Sequence, residues 1–160
     1  PDAQALATLE REVIGARRDA QPCLVLGAVV VRRYRARLYA LPAPCEAEAP
    51  AGAAIVPDAP LCLPGVGRIV LGSGCEGGVR PGHAYRIGFG APGWHCRPAG
   101  RPGKTLKLLA QEHGVPPWLR ARLPLLYVDG ELAAVADLCV CEGFAAPPGT
   151  ASLRLDWQPG

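Results

Sequence analysis

No apolar run in this chain goes far before a glycine or a proline breaks it. Twenty glycines and eighteen prolines separate short hydrophobic stretches across 160 residues. They follow no period, which excludes a collagen repeat, and a hydrophobic content of 49% is too high for a disordered chain. A chain punctuated in this way builds many short strands and turns. No stretch nears the ~20 apolar residues that a membrane-spanning helix needs, and no signal-peptide pattern opens the chain.

The apolar spacing gives an order of elements. Residues 3–18 predict an amphipathic helix with Leu6, Leu9 and Val13 on one face, Glu10, Arg11, Arg17 and Arg18 off it, and Asp2 as the cap. Cys23–Val31 reads as one buried strand running into Arg32-Arg33-Tyr34-Arg35-Ala36-Arg37, with Arg35, Arg37 and Tyr39 sharing a strand face. Residues 42–60 read as a loop, and short strands at 61–63 and 68–71 flank the turn Pro64-Gly65-Val66-Gly67. The Gly-rich stretch 72–82 is the expected boundary between a first domain, 1–75, and a second, 76–160. In the second, the pattern predicts a strand at 84–89, a helix at 104–113 closed by Gly114 and stopped by Pro116-Pro117, and a hairpin of 125–128 and 132–140 around Asp129-Gly130. A last strand is expected at 153–157. The fold class is α+β, β-rich, with one main helix, behind a smaller domain of a helix plus strands.

Several catalytic arrangements are excluded by spacing. Gly103-Lys104-Thr105 resembles the end of a phosphate-binding loop, but Pro98 stands where that loop requires a glycine. Gly65-Val66-Gly67 leads into a strand, where a dinucleotide fingerprint needs a helix. His83, His95 and His113 sit in no zinc-ligand spacing, and Ser73 and Ser152 lack a nucleophile-elbow context. Seven cysteines with no C-x-x-C predict reduced thiols in a cytoplasmic protein, with no metal. Cys139 and Cys141 are expected on one strand face.

Charge is the informative property. Between Arg86 and Arg122 there are seven Arg or Lys and one acid, Glu112, whereas Leu123–Gly160 has one Arg and five acids. Segregation of this kind favours a polyanionic partner. On the helix expected at 104–113, Lys104 and Lys107 lie at the start and Glu112 at the end, against the helix dipole at both ends. A phosphate held by the helix N-terminus and by Arg101, Lys104 and Lys107 would remove that conflict.

The stretch 103–128, GKTLKLLAQEHGVPPWLRARLPLLYV, runs into Asp129-Gly130-Glu131-Leu132. It resembles the C-terminal signature of tRNA(Ile)-lysidine synthetases, in which a Gly/Arg-rich lead-in, "LK" on a helix, "PPWLR", "PLL" and a final hairpin follow in this order. Arg32-Arg33-Tyr34-Arg35 with Leu38-Tyr39 resembles that family's preceding substrate-binding domain, and Ala91-Pro92-Gly93 fits the start of its last domain. The resemblance implies a last domain like the sandwich-like module of the large chain of phenylalanyl-tRNA synthetase. It also implies an enzyme that joins lysine to the wobble cytidine of tRNA(Ile), using ATP and Mg in an N-terminal domain with a Ser-Gly-Gly-x-Asp-Ser loop. Ser73-Gly74-Cys75-Glu76 does not match that loop, so these residues are expected to hold tRNA and to be no enzyme, with no cofactor. Arg97, Arg101, Lys104, Lys107, Arg120 and Arg122 are the expected acceptor-stem contacts, and Arg32, Arg33, Arg35 and Arg37 a second group. Trp118 reads more readily as a core anchor than as a base-stacking residue. The expected partner is tRNA(Ile), with no membrane and with homodimerisation left open. The alternative is a basic protein–protein interaction module with no RNA role.

Overall fold

The computed structural model describes residues 3–43, 51–74, 76–90 and 94–160. The chain divides into two compact units, Pro1–Ala47 and Glu48–Gly160. The boundary expected between residues 75 and 76 therefore falls inside the second unit. Strand pairing is the reason: residues 67–74 form a strand that pairs residue by residue with Ser152–Pro159 at the far end of the sequence. The glycines at 72 and 74 belong to a ladder and not to a linker.

In the first unit, α1 (Ala3–Leu9) widens into a π-helix at Glu10–Ile14 and stops short of the expected residue 18. The expected cap, Asp2, lies outside the described residues. Val13 is fully buried, whereas Leu6 is exposed. The apolar run expected as one strand is a hairpin, because Gly27 takes a positive φ of 61° and turns the chain. The result is the meander β1 (Cys23–Leu26), β2 (Val29–Tyr34) and β3 (Arg37–Pro42). Arg35 makes the second turn at φ 55°, so it does not share a strand face with Arg37 and Tyr39. Across the β2–β3 ladder Arg32 faces Tyr39 and Tyr34 faces Arg37, while Arg33 faces Leu38. Arg32, Tyr34, Arg37 and Tyr39 thus lie on one side and Arg33 on the other.

The second unit contains β4 (Ala53–Ile55), β5 (Leu61–Leu63), β6 (Gly67–Gly74), β7 (Tyr85–Phe89), β8 (His95–Cys96), β9 (Lys104–Thr105), α2 (Leu106–Glu112), α3 (Pro117–Arg120), β10 (Pro124–Val128), β11 (Glu131–Val135), β12 (Cys139–Val140) and β13 (Ser152–Pro159). Strand β4 interrupts the stretch expected as a loop; residues 44–50 lie outside the described ones. The main sheet has the order β12-β11-β10-β7-β4, and a second sheet has the order β13-β6-β5. Their inner faces meet in one apolar cluster that includes Ile69, Leu71, Ile87, Leu126, Leu153 and Leu155. The outer face of the main sheet carries a second cluster, in which Leu109 of α2 packs with Leu123, Leu125 and Val135. The unit is therefore β-rich, layered sheet, sheet, helix.

Turn chemistry explains the joints. Asp129 and Gly130 both take positive φ, 52° and 85°, which closes the β10–β11 hairpin as a two-residue turn. The strand expected over 132–140 breaks at residues 136–138, where the Leu138 amide bonds the Val135 carbonyl at 2.9 Å. The helix expected at 104–113 begins at Leu106, because Thr105 stays extended and its hydroxyl accepts the Leu108 amide at 3.2 Å. Gly114 follows with φ 72°, as a C′ residue requires. The two prolines that stop α2 also start α3, with proline at its first turn.

Gly67 is the tightest backbone approach. It has φ 105°, and a β-carbon there would stand 2.1 Å from the Gln158 carbonyl oxygen. Gly67→Ala is expected to cost at least ~2–3 kcal/mol through backbone strain and a displaced β13. A thermal melt followed by circular dichroism checks this, with a fall of roughly 10 °C or more as the expected result.

Candidate nucleic-acid interface

The expected contact residues separate by what already holds their charges. Lys104 opens β9, two residues before α2, and is paired across a two-residue ladder with Cys96. Its ammonium bonds both carboxylate oxygens of Glu112 at 2.7 Å. The Lys104 side chain is 22% exposed and that of Glu112 40%. The hydrogen bond from Lys104 holds the Glu112 carboxyl below its ordinary value of 4.5. The pair's stabilising effect is complete above that value and is lost as pH falls through the depressed one.

This geometry reduces the argument from the helix dipole to Lys107 alone. Lys104 stands outside the first turn, and Glu112 at the helix end is matched by Lys104. The seven-residue α2 also caps its own start: the Thr105 hydroxyl accepts the Leu108 amide. Lys107 keeps its place in the first turn, exposed, and no ion pair to it occurs among the described residues.

Arg97 is exposed and pairs with Glu142 at 2.5 Å, the two side chains being 70% and 51% exposed. Such a pair is weak and screened by salt, and a phosphate would compete for it. Arg101 is exposed in the turn that its amide closes on the Pro98 carbonyl at 3.0 Å. Arg101 and Lys104 line one cleft of about 300 Å³ together with His113, Pro98, Leu138 and Cys139.

Other expected residues are held inward. Arg120 donates from Nε to the Val115 carbonyl at 3.1 Å and is half-buried. Arg122 is only 9% exposed. In the first unit, Arg33 donates to the carbonyls of Ile14, Ala16 and Arg17 at 2.6, 2.5 and 2.6 Å. It ties the end of the helical segment to the β-meander. Arg35 sits 5.5 Å from the ring centre of Tyr34, a cation–π contact, and Arg37 is exposed.

Cys139 and Cys141 do share a face. Cys96, Cys139 and Cys141 form a chain of thiol hydrogen bonds, and Cys139 lines the cleft. Burial first, then Cys139, pushes the Cys96 thiol up to about 12. Its hydrogen bond to Cys141, then burial, raises Cys139. The same hydrogen bond, with Cys139, lowers the Cys141 thiol. Among the described residues no group of three His, Cys, Asp or Glu is placed to hold a metal.

One juxtaposition has no signal in the sequence. Trp94 and Tyr127, 33 positions apart, meet edge to face with ring centres 5.6 Å apart. Tyr127 faces Arg86 across the β10–β7 ladder. The sheet register brings Tyr127 and Arg86 together.

Two substitutions test the sorting. Arg33→Met keeps the aliphatic stem and removes the donors, so the first unit should lose about 1–3 kcal/mol; hydrogen exchange at the β1–β3 amides measures it. Glu112→Gln should free Lys104, raising affinity for any polyanion that docks here. The slope of log affinity against log salt should steepen by roughly 0.7–0.9 if one phosphate is gained.

Comparison with known proteins places the basic stretch within a recognised domain. Residues 85–157 match the family model described as TilS substrate C-terminal domain, and residues 1–39 match the TilS substrate binding domain. Over 99% of its length the chain is 36% identical to a tRNA(Ile)-lysidine synthase of Serratia proteamaculans (strain 568). It is 35% identical to one of Methylococcus capsulatus and 38% identical to one of Escherichia coli O157:H7, again over 99% of the chain. The chain spans 37%, 38% and 37% of these relatives.

Proposed function

Since this chain belongs to the tRNA(Ile)-lysidine synthase family and carries its substrate-binding and C-terminal domains, we propose that it grips tRNA(Ile) for a ligation carried out elsewhere in the enzyme. On this reading the second unit holds the acceptor stem and the first adds a contact through Arg37 and its neighbours. Lysine is joined to the wobble cytidine by an ATP- and Mg-using domain outside these residues, in the cytoplasm. We assign the second unit to the sandwich-like module of the phenylalanyl-tRNA synthetase large chain; its two facing sheets support that assignment.

One observation carries the proposal: the stretch with seven cations and one acid lies wholly inside the domain matched at 85–157. Double-stranded RNA is gripped mainly through phosphates and 2′-hydroxyls. Cations on a fixed helix and turn suit that task, and the affinity they supply is salt-dependent. Arg101 and Lys107 are the leading contacts, since both are exposed. Lys104 and Arg97 join them when phosphate displaces Glu112 and Glu142. Arg120 and Arg122 hold the loop around α3 in shape, which positions the other contacts.

The test is the Arg101→Glu/Lys107→Glu double variant titrated with tRNA at several salt concentrations. Affinity should fall similarly for stems of different sequence. The log–log salt slope should flatten by on the order of 0.7–0.9 per lost contact. Both residues are exposed, so the melting temperature should stay close to that of the unaltered chain. Equal affinities and slopes would move the RNA off this face and favour an acidic protein partner for it.

A further inference from the structure

We propose that Trp94 is a stacking platform for an unpaired nucleotide at the end of an RNA stem, with Arg86 and Lys107 beside it to take the adjoining phosphates. This rests on the RNA-binding reading above and adds to it a named aromatic residue and a feature of the RNA.

The geometry is specific. Trp94 is 38% exposed, although it is held by a neighbour. Its ring meets Tyr127 at an interplanar angle of 82°, edge to face. In such a pair at most one face of either ring is used, and the exposure of Trp94 leaves indole surface for a third ring. Tyr127 is in turn fixed from below. A β-carbon on Gly88 would stand 2.9 Å from its Cε2 atom, so only a glycine there lets the phenol ring lie across β7. The Trp94 carbonyl accepts the Leu106 amide at 3.0 Å, which fixes the backbone at the start of α2. Trp94 is thus backed by a strand residue and tied by its backbone to a helix start.

Its charges fit the same ligand. Arg86 is exposed and lies across the ladder from Tyr127, on the same side of the sheet. Lys107 follows Leu106 and is exposed. Among the described residues neither cation has an ion-pair partner. An exposed indole, with cations on the strand beside its partner Tyr127 and on the helix start that its backbone bonds, matches a base with its flanking phosphates. Inside a helical stem the base faces are hidden in the stack, so a ring can reach one only where a nucleotide is unpaired or at a stem end. Trp118, the tryptophan in "PPWLR", is half-buried in α3 and makes a poorer platform.

The experiment uses the whole chain and two labelled RNA hairpins, one blunt and one with four unpaired 3′ nucleotides, followed by fluorescence anisotropy. Trp94→Ala should bind the overhanging hairpin about 5- to 100-fold more weakly, with an unchanged salt slope because no charge is lost. Its affinity for the blunt hairpin should stay the same. Trp94→Phe should recover most of the loss. If Trp94→Ala melts early, Trp94→Phe carries the test: RNA with the overhang should quench tryptophan emission in the natural chain and quench it far less in Trp94→Phe. Equal binding or equal quenching overturns the platform while the Arg101/Lys107 result still upholds the RNA reading. No binding of either hairpin by the natural chain overturns both. Tighter, Trp94-dependent binding of a poly-glutamate peptide would assign the patch to an acidic protein instead.

Discussion

The second unit depends on β10 being buried on both faces. Leu125 and Leu126 are neighbours, point to opposite sides and are both fully buried. Leu126 joins the core between the two sheets, and Leu125 joins the cluster under α2. One short strand therefore couples the sandwich to the helix. Each fully buried leucine is worth about 1.5–3 kcal/mol of transfer free energy, and a polar residue at either position would lose that and add an unsatisfied group. The position of α2 on the sheet follows from this packing, and with it the positions of Lys107, the Lys104–Glu112 pair and the Trp94 backbone.

The cations sort into two groups by geometry. Arg33, Arg120 and Arg122 face inward; Arg33 and Arg120 spend donors on backbone carbonyls. Arginine suits this because its planar fork reaches several acceptors at once. Arg37, Arg86, Arg101 and Lys107 are exposed. Lys104 and Arg97 stand between the groups, held by Glu112 and Glu142 in bonds that another anion can exchange. A basic stretch is therefore not uniformly an interface: part of its charge maintains the loops on which the rest is displayed.

Much of the fold was legible from local chemistry. Thr105 and Gly114 bound α2 by capping rules, Asp129-Gly130 announces its hairpin, and the short runs at 61–63, 85–89 and 152–159 form strands because glycine or proline flanks them. The misreadings arose where an apolar run fits two outcomes. Cys23–Val31 is as compatible with one strand as with a hairpin turning at Gly27. Gly72 looks like a linker residue until β13 arrives from the far end of the chain to pair with β6.

By itself the sequence determined the β-rich class, the glycine that ends α2, the segregation of charge and the family, since these depend on residue type and short spacing. The burial of Arg122, the pairing of Lys104 with Glu112 and the meeting of Trp94 with Tyr127 were decided only by tertiary structure. Each depends on a distance across the fold, and such distances come from sheet register and from the packing of α2, which no local pattern encodes. Whether a given arginine is free to meet a phosphate is settled by which carbonyl or carboxylate the folded chain has already brought to it.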